Sequence, residues 1–457
     1  MIHSKTKLIR NGLTLRNRRA RRLCIDAFEA ALRAVEPSQC LRSAVKVKGS
    51  RLSVGNFSCS LSRFSRVMLL AVGKASVPML NTTRRMLRDF DTYGILVASK
   101  GHHLGKADDR FECFQTGHPL PDRDGLKASE RVVEMVGGMG ESELLICLIS
   151  GGGSAMLPAP AEGILIENKR ALTDELVRSQ ATIHEINIVR RHLSRLKGGG
   201  LVQLCKASIL SLIISDVAGN NLADIASGLT AEDSSSYGDA VSILRRHNLW
   251  ERIPGNVRKH LMRGVRGTIP DTPKPGFANF RRVHNLIIAD NQTACTAARR
   301  ALANKHFPAF LLTSSVEMDS ANMGGLLASI AQERMRYRGS NKSGAFIFGG
   351  ETTVRVTGTG IGGRNQEAVL SGVQRISGID GAVIAALGTD GIDGNSKAAG
   401  AMADGKTLMR ARKTGMTPLP FLDNNDSYRF FRALDDNLVT GPTGTNVGDL
   451  YIVLCEK

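Results

Sequence analysis

Aromatic residues make up only 5% of the 457-residue chain, and Trp250 is its single tryptophan. Ring stacking, the usual grip on single-stranded nucleic acid, therefore has little material to work with. No apolar stretch approaches the ~20 residues that cross a bilayer. The longest, such as Val67–Val72, are strand-length, so a soluble protein with no membrane partner is expected. The eight cysteines (24, 40, 59, 113, 147, 205, 295 and 455) show neither CxxC nor a Cys/His ligand spacing. That argues against a zinc module and a disulfide framework, and favours a reducing compartment. Cys147 and Cys455 fall inside apolar runs, where a thiol acts as a small core residue. Nucleotide signatures are missing too: no GxxxxGK[ST], no HRD with DFG, and no GxGxxG after a first strand.

Positive charge is present in excess, +19 overall, and it is uneven. Residues 1–51 hold 13 Lys/Arg against 3 Asp/Glu, with RNRRARR at 16–22 the densest run and no acid before Asp26. Three readings stay open: a nucleic-acid or membrane surface, a targeting presequence, or the solvated face of a first helix. Ala20, Leu23, Cys24, Phe28 and Leu32 recur at helical spacing behind the arginines and favour the third.

From residue 66 onward, short apolar runs alternate with amphipathic stretches. Strands are expected at Val67–Val72, Gly94–Ala98, Leu144–Ile149 and Ile209–Ile214, with helices such as 125–136 and 183–197 between them. Buried apolar strands separated by helices imply a parallel sheet covered on both faces, with functional groups at the strands' carboxyl ends. Gly73-Lys74, Ser150–Ser154 (SGGGS) and Ser215-Asp216 all fall there. Residues 252–283, rich in Pro, Gly and basic residues, read as a linker or an edge excursion. A second α/β domain with a glycine-broken, β-rich texture follows, and the expected divisions are 1–15, 16–255, 256–340 and 341–457.

Three glycines at Gly151, Gly152 and Gly153, flanked by Ser150 and Ser154, let consecutive N–H groups close on an anion. Ser154 as a hydrolase nucleophile is the rival, but the segment is not G-x-S-x-G. Lys74 could neutralise a transferring phosphoryl group. Asn187, Arg191 and Lys197 project from the polar sides of the 183–197 helix and supply anion donors. Asp216, Asp390 and Asp393 follow apolar strands, where carboxylates suit Mg²⁺; for Asp393, in GIDG, turn capping is the better reading. Arg364, in GGRNQE, offers a planar fork for a carboxylate or phosphate. Donors and cations for anions, joined to carboxylates for a metal, point to phosphoryl transfer.

Taken together, AVGKAS (71–76), TGHPLPD (116–122), ISGGGSAMLPAPAEGI (149–164), EINIVRRHLSRLKGG (185–199), ISDVAGNNLADIASG (214–228), GGETTV (349–354), GGRNQE (362–367), GTDGIDG (388–394), NNDSY (424–428) and TGPTGTN (440–446) resemble the glycerate 2-kinase family, an N-terminal glycerate kinase domain followed by a MOFRL domain. The resemblance implies ATP-dependent phosphorylation of D-glycerate to 2-phosphoglycerate with Mg²⁺. It implies a Rossmann-like first domain with a mainly parallel sheet, a smaller second α/β domain with a mixed sheet, and an active site in the cleft between them. Lys74 and Arg364 take the catalytic positions. Ser150–Ser154, Asn187, Arg191, Lys197, Glu351, Thr443 and Asn446 are expected to bind nucleotide or substrate, and Asp216 and Asp390 to bind metal. The chain departs from the family at Asn220, Leu229 and Lys397. The alternatives are a hydroxypyruvate reductase-type oxidoreductase and, from the basic start, a nucleic-acid binder, the latter not expected. A cytoplasmic location is expected, with the mitochondrion as alternative through the same basic start.

Overall fold

The computed structural model describes residues 1–101, 104, 109–179, 181–336 and 343–457, so the expected 340/341 division lies outside the described residues. The chain forms two α/β units: Cys40–Ser215 with Asn220–Ile288, and Met1–Gln39 with Asp216–Gly219 and Ala289–Lys457.

The first unit opens with a small antiparallel sheet, β1 (Val45–Lys48), β2 (Arg51–Val54) and β3 (Phe57–Ser60). Its main sheet has the order β6-β5-β4-β7-β8-β9. The strands are β4 (Val67–Val72), β5 (Thr92–Ser99), β6 (Phe111–Thr116), β7 (Leu144–Ser150), β8 (Ser208–Ile214) and β9 (Val283–Ala289). The pairs β4/β5, β5/β6, β4/β7 and β7/β8 are all parallel. Every residue of β4 and β7 is buried, as a strand covered on both faces requires. From β4 the chain winds outward to β5 and β6, and from β7 it winds the other way to β8. The gap between β4 and β7 is thus the topological switch point, where loops at the carboxyl ends splay apart and leave room for a ligand.

The second unit has a mixed sheet of order β10-β11-β15-β12-β13-β14. Its strands are β10 (Ala309–Asp319), β11 (Gly344–Thr353), β12 (Ala382–Gly388), β13 (Gly400–Asp404), β14 (Asn437–Leu438) and β15 (Asp449–Cys455). Only β10/β11 is parallel; β15 runs antiparallel between β11 and β12. Asp449, the first residue of β15, is therefore in register with both Gly350 and Gly388, beside the carboxyl ends of β11 and β12. Helices Ser320–Arg336 and Arg364–Val373 contribute Leu327, Ala331, Val369 and Val373 to a core shared with Phe348, Ile384 and Val453.

Two expectations are corrected. Residues 252–283 are no bare linker: Gly255–Val265 is a helix whose Val257 and Leu261 join an apolar cluster of the first unit. The basic start belongs to the second unit, where helix Leu15–Ala34 packs against β12, β15 and helix Asn291–Ala303. The helix buries Ala20, Leu23, Cys24 and Phe28 as its spacing predicts, yet Arg21 inside the basic run is also fully buried.

Candidate active site

In the first unit the two turns at the switch point are bonded to each other. The Lys74 N–H donates to the Gly151 carbonyl (2.9 Å), and the Ala75 N–H donates to Ser150 Oγ (3.0 Å). Gly73 has φ +114°, and a Cβ there would lie 2.4 Å from the Ser150 carbonyl oxygen, so only glycine permits this approach. After Gly152, in the left-handed region, the chain makes one helical turn, Gly153–Met156.

A polar relay leaves this loop. Ser154 and Ser227 share a hydroxyl hydrogen bond (2.7 Å), Ser227 Oγ donates to Asn187 Oδ1 (3.0 Å), and Asn187 Nδ2 donates to Asp224 Oδ1 (3.2 Å). Helix Ile183–His192 is started by a capping box in which Thr182 and Glu185 satisfy each other's backbone N–H. It aligns His184, Asn187 and Arg191, three and four residues apart, along one face. All three reach Asp224, as does Asn221 Nδ2 (2.7 Å). Residues Ala226 and Ser227 both have positive φ, 49° and 57°, a strained pair of the kind that clusters at functional loops.

Arg191 and Lys197 do not face open solvent. Arg191, 2% exposed, holds Asp233 (3.2 Å) and the Ala223 carbonyl (2.8 Å). The Lys197 ammonium donates to the Leu157 carbonyl, and desolvation, helped by Arg190, brings its pKa down to about 7. The ammonium of Lys169 bridges the Pro158 and Leu193 carbonyls, and burial lowers it well below the usual range. These cations brace the backbone that follows the glycine loop.

In the second unit the sites read from sequence gather around Asp449. Arg364, first in its helix, grips Asp449 with Nε (2.5 Å) and Nη2 (3.2 Å), while Nη1 donates to Glu351. Asp449 is 1% exposed and also accepts from Asn365 Nδ2 (3.0 Å) and the Tyr451 hydroxyl (3.2 Å). The Arg364 helix is capped by Asp393, which accepts from the Asn365 and Gln366 N–H groups (3.0 and 2.9 Å). Burial pushes the Asp393 carboxyl up to about 6. The GIDG motif predicts a cap for its own turn, whereas the side chain accepts from the first turn of the Arg364 helix. Asp216 accepts from Asn446 Nδ2 (2.9 Å). Thr443 donates its hydroxyl to the Thr389 carbonyl (2.5 Å) and its N–H to the Asp390 carbonyl (3.2 Å). The loop 443–446 thus ties Asp216 and Asp390 to the same end of the sheet. Desolvation raises the Glu351 carboxyl although 47% of its side chain is exposed; Arg364 opposes the rise, while Asp449 and Asp216 add repulsion.

The reading from sequence missed Asp224, His184 and Asp449. His184 lay between two capping residues, and Asp224 came late in a segment whose reading stopped at Asp216. Asp449 carried a signal: a lone acid opening an otherwise apolar strand, DLYIVLC. The run Gly358–Gly363 (GTGIGG) does spell GxGxxG, though not after a first strand. Its glycines are explained by packing: a Cβ at Gly358 or Gly360 would lie 2.5 or 2.4 Å from the Asn424 backbone. Among the described residues, no group of three or more His, Cys, Asp or Glu has a geometry that could hold a metal ion by itself.

Two family profiles match the chain: one described as a domain of unknown function (DUF4147) over residues 23–262, and the MOFRL family over residues 344–449. A glycerate 2-kinase of Pyrococcus horikoshii is 37% identical over 93% of this chain and 94% of its own. The crystal structure of a glycerate kinase from Thermotoga maritima superposes with a TM-score of 0.80 at 36% identity, covering 95% of this chain and 99% of that one. A relative from Agrobacterium vitis with a provisional hydroxypyruvate reductase name is 36% identical over 85% of this chain and 87% of its own.

Proposed function

Because the chain belongs to the glycerate 2-kinase family, we propose that it transfers the γ-phosphoryl group of ATP to the 2-hydroxyl of D-glycerate, giving 2-phospho-D-glycerate. The observation that carries this reading is the glycine-rich turn bonded to the Lys74 turn at the β4/β7 switch point, in a chain that matches glycerate 2-kinases over nearly its whole length. The Ser150–Ser154 loop presents consecutive N–H groups to phosphate or carboxylate oxygens, and Lys74, at the adjoining turn, supplies positive charge for the phosphoryl group. Ser154 and Asn187 orient the ligand side of the loop, whereas Lys197 holds the backbone that follows it at Leu157 and Arg191 holds the Ala223–Asp224 turn. Arg364 offers a guanidinium fork to a carboxylate or a pair of phosphate oxygens, aimed by Asp449.

The donor set of the second unit also fits a divalent ion. Glu351 and Asp449 share the Arg364 guanidinium, and the Glu351 carboxyl, raised first by desolvation and further by Asp449 and Asp216, would be eased by added positive charge. Asp216 and Asp390 would hold Mg²⁺ together with phosphate oxygens and waters, with Asn446 and Thr443 fixing the loop around it. Mg²⁺ takes one or two protein carboxylates, keeps several waters and neutralises the phosphate oxygens of its nucleotide.

No helix among the described residues is long and apolar enough to cross a membrane. Free thiols at Cys24, Cys147 and Cys455, all buried, support work in a reducing cytoplasm. The test is direct: ADP and 2-phosphoglycerate appear on adding D-glycerate, ATP and Mg²⁺. NADH oxidation with hydroxypyruvate, in place of that product, would establish the reductase reading instead.

A further inference from the structure

We propose that His184 is the base that accepts the proton of the substrate hydroxyl, and that Asp224 positions it. This rests on the kinase reading above. His184 Nδ1 lies 3.1 Å from Asp224 Oδ2, and the histidine side chain is 56% exposed while the aspartate side chain is 7% exposed. A carboxylate takes the proton-bearing nitrogen of an imidazole, so Nδ1 donates to Asp224 and Nε2 carries its lone pair toward solvent. This is the arrangement by which a carboxylate fixes tautomer and ring plane in hydrolytic triads.

The place of the dyad matters as much as its geometry. Asp224 is joined through Asn187 and Ser227 to Ser154 of the glycine loop, and the loop is bonded in turn to the Lys74 backbone. The imidazole therefore stands on the same hydrogen-bonded frame as the anion nest. Asp224 is over-determined, with His184, Asn187, Arg191 and Asn221 all converging on it, so the carboxylate that aims the imidazole cannot swing away. The other charged groups nearby are already engaged. Arg191 bonds Asp224 and Asp233 on the loop side; on the far side of the helix, Glu185 holds Arg246 and His247.

In the proposed step the glycerate hydroxyl oxygen forms a bond to the γ-phosphorus of the nucleoside triphosphate. The bond from that phosphorus to the bridging oxygen of the departing diphosphate breaks. The hydroxyl proton passes to His184 Nε2, and the imidazolium then releases it to water.

Because His184 is exposed, its replacement leaves the fold intact. His184→Gln should lower kcat by about 10²-fold with little change in KM, and should flatten the acid limb of the kcat–pH profile, at the low end of what general-base removal costs. His184→Ala should regain rate on addition of imidazole, which a purely structural histidine would not allow. Full turnover in His184→Gln would overturn the proposal. So would a loss of rate with an unchanged acid limb and no imidazole rescue. Production of 2-phosphoglycerate by the unaltered protein is measured first; its absence would sink the kinase reading itself.

Discussion

Two arginine–carboxylate clusters sit in the second unit, and they differ in one respect. Arg21 is fully buried between Asp404 (2.5 Å) and Asp436 (2.7 Å), and Nη1, which bonds Asp436, also donates to the Leu8 carbonyl (3.0 Å). Burial alone would lower its pKa, but the two aspartates outweigh burial and hold it above the ordinary value. Arg364 is likewise held by two carboxylates, with burial again outweighed, yet 30% of its side chain and 47% of Glu351 remain accessible. The same chemical group is closed in one place and left with an open flank in the other. Ion pairs alone do not mark a site; an ion pair with a strained, accessible partner does. Glu351, raised by desolvation and by Asp449 and Asp216, is that partner, whereas Asp436 is further neutralised by Arg410.

The sharpest way to break the comparison is to truncate the closed member. Arg21→Ala leaves Asp404 buried without its cation and Asp436 with Arg410 alone, and should cost about 3–5 kcal/mol of stability. Chemical denaturation measures it; an unchanged midpoint would show that Asp404 and Asp436 are relieved by other means. Arg364→Lys keeps the charge but loses the fork, and should cost roughly 3 kcal/mol of transition-state stabilisation, read from kcat/KM for glycerate. Its stability should fall by less than in Arg21→Ala, since lysine keeps a positive charge beside Asp449 and Glu351. Near-normal kinetics with a large loss of stability would make Arg364 a second Arg21.

A milder change tests the open flank. Asp216→Asn retains the contact with Asn446 but removes a charge, and should raise the Mg²⁺ concentration for half-maximal rate by about tenfold, or ~1.4 kcal/mol. The same metal dependence in mutant and parent would return Asp216 to loop anchoring.

Lys197 extends the comparison to a buried cation bonded to a carbonyl. Its folded pKa, about 7, lies below the ordinary 10.5, so between those values the unfolded chain carries the extra proton. Stability contributed through this group therefore rises with pH across that window, and its penalty is complete below pH 7. Lys197→Met should remove this rise, which denaturation midpoints at pH 7 and pH 10 would detect. An identical difference between the two pH values in both proteins would refute it.

How much of this was legible beforehand depends on how local each signal is. The β4 and β7 ends were readable because a six-residue apolar run followed by glycine is a local pattern. The helix that Asp393 caps was not legible in the same way, since the N–H groups it accepts from lie 27 and 28 residues earlier. Arg21 was not, for its partners lie 383 and 415 residues away, and helical spacing could only mark the face next to it. Edge strand β6, FECFQT, was missed because its alternation of buried and exposed residues brings polar side chains into a short run. Asp224 escaped because its importance is in what converges on it.

The early position of Arg21 has a consequence for biosynthesis. Helix Leu15–Ala34 leaves the ribosome before residues 40–288, yet Asn17 bonds Gly381, Arg21 needs Asp436, and Thr445 bonds the Val35 carbonyl. Residues 40–288 can complete their own sheet while that helix waits without its partners. An amphipathic helix with an exposed apolar stripe is then a standing target for holdases and for self-association until the last strand, Asp449–Cys455, is made. A nascent chain stalled before residue 437 should consequently present its amino terminus to proteases, although the sheet of the first unit is already whole.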